Sequence, residues 1–309
     1  MTELSRKIID QHLVRKTANQ KQAFRDMLVS ELAGKGIEAH EEKHKDLFRS
    51  VNVIAGDIEK AEMIFGAHYD TCPRMPFPNF ITPKNPLVYY AYQIAIIFAL
   101  LLVSAIPAIP VAMNTTGREA YLVWYFTYLA LVVLMMKGPA NPTTMNDNTS
   151  GVVTLIELMT AMPENLRSRC AFVLFDNEEM GLQGSGAFKG MHKQQAKETP
   201  MVNLDCVGNG EHFLLAASKA FRADDKLMSA VKAAFGEGEK QLYSEAEKTV
   251  YPSDQKKFEK SLAIAALHKG PKVGYYMNRI HTPKDTILNE ENVLRISAGL
   301  SEMAERFLK

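Results

Sequence analysis

Apolar positions along this 309-residue chain follow three rhythms. Short apolar runs at 51–55, 62–67, 170–175, 201–205, 212–217, 262–267 and 272–276 read as strands. Helical spacing marks 151–162, 183–193, 221–235 and 289–308; in the first, Val152, Leu155, Ile156 and Met159 share one face. Residues 1–33 mix charged residues with periodic Ile, Leu, Val and Phe. They read as an amphipathic helix closed near Gly34 or Gly36, without the unbroken apolar core of a signal peptide. The polar stretch 236–260 reads as a long loop with some helix. The alternation predicts an α/β fold with a mixed, mostly parallel central sheet flanked by helices.

The third rhythm is unbroken. Residues 86–113 and 120–136 carry no charge, and the polar stretch Asn114 to Glu119 separates them. The first is long enough for a bilayer core of roughly 30 Å, and the second is near the lower limit. Tyr89, Tyr90, Tyr92, Trp124, Tyr125 and Tyr128 resemble interfacial aromatics. Pro107 and Pro110 are placed to kink or end the first helix. The expectation is a transmembrane helical hairpin, 86–137, inserted into a domain made of 1–85 and 138–309. The rival reading is an apolar lid or dimer surface on a soluble cytoplasmic protein. Arg74, Lys84 and Lys137 flank the insert, while its tip holds only Arg118 beside Glu119. The positive-inside rule then places the larger domain in the cytoplasm.

Charge changes this picture little. With 36 basic and 35 acidic residues, the net charge is +1, and no basic stripe with interleaved aromatics suggests nucleic acid. Cys72, Cys170 and Cys206 form no C-x-x-C pair, so reduced buried thiols are expected rather than a disulfide framework.

Candidate chemistry gathers at strand ends, where open α/β sheets collect ligands. His68 and Asp70 lie in G-A-H-Y-D-T, two apart, so they face the same way on an extended chain. A metal-binding imidazole usually gives its second N–H to a carboxylate, a role open to Asp70; a plain strand-end hydrogen bond is the alternative. Asp147, in N-D-N-T-S-G before a helix, can bridge two cations, while Asn148, Thr149 or Ser150 caps the helix. In D-N-E-E-M-G-L-Q-G-S-G, Glu179 can ligate a metal and Glu178 can take a proton from water. Asp205 ends N-L-D, and His281 lies in R-I-H-T-P-K-D-T. A separate pattern, H-E-E-K-H from His40 through Glu41 to His44, matches the zincin motif, but its polar surroundings favour a solvated face.

Taken together, N-V-I-A-G at 52–56, G-A-H-Y-D-T, N-D-N-T-S-G-V, E-E-M-G-L-Q-G-S, N-L-D-C-V-G, S-D-Q at 253–255 and H-T-P-K-D-T resemble the co-catalytic di-zinc aminopeptidase family, which includes bacterial leucyl aminopeptidases and glutamate carboxypeptidase-like enzymes. The resemblance implies two zinc ions: His68 and Asp205 on one, Glu179 and His281 on the other, Asp147 between them. It implies Glu178 as general base, Asp70 orienting His68, and a peptide substrate cut at its N-terminus. Metallocarboxypeptidase and glutaminyl-cyclase-like activities belong to the same scaffold. Two departures stand out. Gln255 replaces the usual His or Tyr that helps polarise the carbonyl, a role its amide N–H₂ can still serve by donating to the oxyanion, and the apolar insert separates His68 from Asp147. A membrane zincin and a non-catalytic membrane scaffold are the rival functions.

Overall fold

The computed structural model describes residues 1–309. Nine strands form one sheet: β1 (Ala39–Lys43), β2 (Val51–Ala55), β3 (Met63–His68), β4 (Cys170–Phe175), β5 (Met201–Leu204), β6 (His212–Ala217), β7 (Gln241–Glu245), β8 (Ser261–Gly270) and β9 (Gly274–Tyr276). Their spatial order is β1-β2-β4-β3-β5-β8-β6-β7, with β9 paired to β8. The inner strands β4, β3, β5 and β8 are parallel, and antiparallel partners flank them. Every residue of β3 and β4 is buried. Parallel strands covered on both faces need apolar side chains both ways, hence the unbroken runs in the sequence.

The helices are α1 (Glu3–Gln11), α2 (Ala18–Gly34), α3 (Pro86–Ala105), α4 (Ala108–Asn114), α5 (Gly117–Lys137), α6 (Gly151–Ala161), α7 (Glu164–Arg167), α8 (Gln183–Met191), α9 (Lys193–Glu198), α10 (Lys219–Arg222), α11 (Asp225–Phe235) and α12 (Glu290–Leu308). Strand pleating divides the core. Met63, Phe65 and Ala67 pack with α1, α2, α6, α11 and α12 on one face. Ile64 points to the other, with Phe188 of α8 and Ala196 of α9. The result is a helix–sheet–helix sandwich, the α/β class the pattern predicts.

Several elements differ from the sequence reading. The N-terminal helix is two helices, because Thr17 and Gln20 build a reciprocal cap that starts α2 afresh. The stretch 236–260 contains β7, a half-buried edge strand whose mixed polarity hid it. The run at 272–276 is only the short β9, reached by a tight turn from β8. The H-E-E-K-H segment is not a helix: His40 and Glu41 sit on β1, so their side chains point to opposite faces. Glu41 is bound by Arg25 at 2.7 Å, and His44 contacts Glu42 at 3.0 Å. The zincin geometry is therefore absent.

Helices α3 and α5 are each long and apolar enough to cross a membrane, and both are mostly exposed. Their bases are docked. The Tyr92 hydroxyl donates to Pro78 O at 2.7 Å, Asn85 caps α3, and Pro73 bridges Ala140 where the chain leaves and returns. Pro107 lies at the break between α3 and α4.

Candidate metal centre

Three parallel strands deliver the site. His68 ends β3, the loop 176–179 follows β4, and Asp205 follows β5. Residues 145–150 enter α6 from beneath the loop 280–285, with the Asp147–Asn148 peptide cis. Gly151 must be glycine here, since an added Cβ would lie 2.5 Å from Leu204 O. Gly184 is pressed on Asp176 O in the same way, which keeps the glutamate loop tight against β4.

The predicted residues come together. His68 Nε2 is 3.4 Å from one Asp147 oxygen and 3.7 Å from Asp205. His281 Nε2 is 3.2 Å from the other Asp147 oxygen and 3.3 Å from Glu179. Asp147 thus stands between two groups, one of His68, Glu178 and Asp205, the other of Glu179, His281 and Cys72. Cys72 was not among the sequence candidates; its nearness comes from the chain turning back after Asp70. Of five non-glycine residues at positive φ, four flank this site: Asn177, Leu182, Cys206 and His281. Such backbone conformations concentrate where surrounding structure imposes function.

Asp70 acts mainly elsewhere than expected. His68 Nδ1 lies 3.1 Å from the Asp70 backbone carbonyl and 3.6 Å from its carboxylate. The carboxylate instead accepts from the backbone N–H groups of Glu178 (2.9 Å) and Glu179 (3.2 Å), so it holds the glutamate pair in place. Gln255 is turned away from the metal pocket. Its Nε2 donates to Tyr251 O at 2.8 Å, and its Oε1 accepts from Asn203 at 3.0 Å. It lines a separate cleft of about 660 Å³ beyond Tyr251, and its carbonyl-polarising role does not fit this placement.

Three further residues support the site. Asp285 accepts from the N–H groups of Asn146 (2.9 Å) and Asp147 (3.0 Å). Asp254, fully buried, lies close enough to Glu178 to raise its pKa. Both fall inside quoted motifs, S-D-Q and H-T-P-K-D-T. Arg15 had no such signal. It is completely buried, donating to Tyr69 O (2.5 Å), His12 O (2.5 Å) and Thr149 Oγ1 (3.1 Å). It ties the His68–Asp70 strand end to the Asp147 loop.

Electrostatics tests whether cations fit. Burial drives Glu178 and Glu179 well above the usual carboxylate range, and neighbouring carboxylates add to it. Burial also lifts Asp254 and Asp285 to about 7. Burial opposes ionisation of Asp147 too, but hydrogen bonds from His281 and His68 outweigh it and hold its pKa low. Burial disfavours the His68 cation, yet Glu178 and the bonded aspartates outweigh it and raise its pKa well above 6.5. Glu179 Oε1 and Asp205 Oδ1 are buried without a hydrogen-bond partner. Orphaned carboxylate oxygens beside imidazoles are the donor set zinc takes.

A model of peptidase family M28 matches residues 132–301. The chain belongs to this family. By family it is a peptidase. The match begins inside α5, so His68 and Asp70 lie outside it and reach the centre through β3. Among solved structures, the fold resembles Porphyromonas gingivalis glutaminyl cyclase: 16% identity, TM-score 0.60, covering 98% of this chain and 95% of that one. It also resembles the Legionella pneumophila LapA aminopeptidase (14%, 0.59, 98% and 68%) and a Zn-dependent exopeptidase from Parabacteroides distasonis (15%, 0.56, 97% and 94%). At these identities the likeness concerns the fold. No curated protein matches the chain.

Proposed function

We propose that this M28 peptidase is a two-zinc aminopeptidase anchored in a membrane by residues 86–137, with the domain of 1–85 and 138–309 in the cytoplasm. The observation that carries the aminopeptidase reading is that the pocket holds no basic side chain for a C-terminal carboxylate. A cavity of about 260 Å³ is lined by Asp147, Glu178, Glu179 and Asp205 and by no Lys or Arg. Its carboxylates serve the zinc ions and the proton transfer, and no basic side chain stands ready to pair with a C-terminal carboxylate. Ile81, Leu182 and Ile280 also line it, which favours an apolar first residue.

His68 and Asp205 would hold one zinc, Glu179 and His281 the other, and Asp147 would bridge them. Bound zinc supplies a Lewis acid for the scissile carbonyl and lowers the pKa of water. Glu178 accepts the proton of the attacking water on a carboxylate oxygen and returns it to the departing amine nitrogen. Asp70 keeps Glu178 and Glu179 in register through their backbone N–H groups. The hairpin reading rests on the length and exposure of α3 and α5, and the orientation on Arg74, Lys84 and Lys137 at their bases.

The test is metal content and turnover of detergent-purified protein. Wild type should carry two zinc ions and release leucine from peptides; Asp147→Ala should lose metal. Glu178→Gln should keep its zinc and lose about 10²–10⁴-fold in kcat. A single zinc together with cyclisation of N-terminal glutamine would replace this reading with a cyclase. Zinc-free, inactive protein after reconstitution would leave a scaffold.

A further inference from the structure

The turn between β1 and β2 plays no part in the proposed chemistry, yet it is built with care. The Asp46 carboxylate accepts from Ser50 N at 2.7 Å and Ser50 Oγ at 2.5 Å. Arg49 N donates to Asp46 O at 3.2 Å. Arg49 is the one non-glycine residue at positive φ away from the metal centre. This bracing holds Leu47 out at the tip, 87% exposed. Beside it, the Lys137 ammonium sits 5.9 Å over the Phe48 ring.

Lys137 is the last residue of α5, where the hairpin rejoins the sheet domain. Lys16 reaches the same corner and donates to Met136 O at 3.3 Å. An apolar tip flanked by exposed Lys45 and Arg49 therefore lies at the hairpin's base. Nearby acids are engaged inward: Asp46 within the turn, Glu41 by Arg25, Glu42 by His44 and His192. The charge left facing outward is positive.

We propose that the 44–50 turn is a second membrane contact, with Leu47 entering the interface and Lys16, Lys45, Arg49 and Lys137 meeting anionic lipid headgroups. The proposal rests on the hairpin reading. Continuity with the base of α5 and the outward positive charge identify the occupant as an anionic bilayer surface. The contact also bears on catalysis. Asn177 Nδ2 donates to Ser50 Oγ at 3.0 Å, and Val51 N donates to Asp176 Oδ2 at 3.0 Å. The turn thus hangs on the loop that carries Glu178 and Glu179, so seating it fixes how the metal pocket faces the membrane.

The experiment uses the full chain in vesicles of phosphatidylcholine with or without phosphatidylglycerol. Leu47→Cys, Ile97→Cys and Asn165→Cys each carry an environment-sensitive fluorophore; the three native cysteines are buried. Asn165 lies just before β4, at the end of the sheet away from the metal site. Lipids spin-labelled near the headgroup should quench the probe at 47 by about twofold or more, and only with phosphatidylglycerol present. The probe at 165 should be unaffected, and Lys45→Glu with Arg49→Glu should abolish quenching at 47. If acyl-chain quenchers reach 97 while 47 behaves like 165, the turn proposal fails and the hairpin stands. If neither 97 nor 47 responds, the hairpin reading fails and takes this proposal with it.

Discussion

At the scale of single residues, the centre depends on groups that never touch a cation. Arg15 is the clearest case. Burial lowers its pKa to about 10, with Asp70 and Asp147 acting the other way, so it stays charged at neutral pH. Its guanidinium satisfies the carbonyls of Tyr69 and His12. Arg15→Met would strand both, each orphan costing about 1–3 kcal/mol. The expected result is a markedly lower unfolding midpoint and weaker zinc binding, read by denaturant titration and competition with a chelator. Unchanged zinc affinity would reduce Arg15 to a packing residue. Asp285→Ala makes a milder case. It removes the acceptor for two backbone N–H groups of the Asp147 loop, so zinc affinity should fall about 10–100-fold, as for other groups that orient ligands. Asp285→Asn should recover only part, because a single amide oxygen replaces two carboxylate oxygens.

Elements decide where those residues stand. Strand β3 is apolar on both faces and ends in His68; β5 ends one residue before Asp205, and β4 three and four residues before Glu178 and Glu179. This part was legible, because fully buried parallel strands leave a strong signature and ligands follow their carboxyl ends. The edge strands β1 and β7 were not, since one-sided or partial burial lets polar residues in. The hairpin gives an element-scale prediction. Its base is packed through Tyr89 and Tyr92, while the rest of α3 and α5 is mostly exposed. Replacing residues 93–133 with a short Gly/Ser linker should yield protein that purifies without detergent and still binds zinc. Loss of zinc binding in folded protein would mean that the hairpin shapes the site rather than anchoring it.

For the whole molecule, the balance of buried charge sets a pH dependence. In zinc-free protein, Asp254 and Asp285 titrate near 7, and Glu178 and Glu179 are also raised by burial. A carboxyl raised on folding stabilises the native state when protonated. That contribution is full below its ordinary pKa near 4 and is lost as pH climbs through the folded value. His68, also raised, has the same sign above about 6.5. Asp70 and Asp147 are held low, so their contribution is constant above about pH 5. The zinc-free protein should therefore melt at least about 5 °C lower at pH 8 than at pH 5. Saturating zinc should shrink or reverse the difference, because the cations compensate the ionised carboxylates. Equal melting temperatures in scanning calorimetry of the chelated protein would contradict this account of the buried acids.

The sequence by itself determined the α/β class, the inner strands, the two long apolar segments and the set of His, Asp and Glu residues worth considering. Each leaves a local trace, either a period of burial or a polar residue closing an apolar run. Tertiary structure alone decided which atoms those residues offer. It turned Gln255 away from the pocket, gave the Asp70 carboxylate to the glutamate loop, and brought Cys72 to the centre. It also placed Arg15 and the Leu47 turn against parts of the chain far away in sequence. Side-chain direction and long-range neighbours depend on how strands and loops pack together, and no local pattern in the chain encodes that.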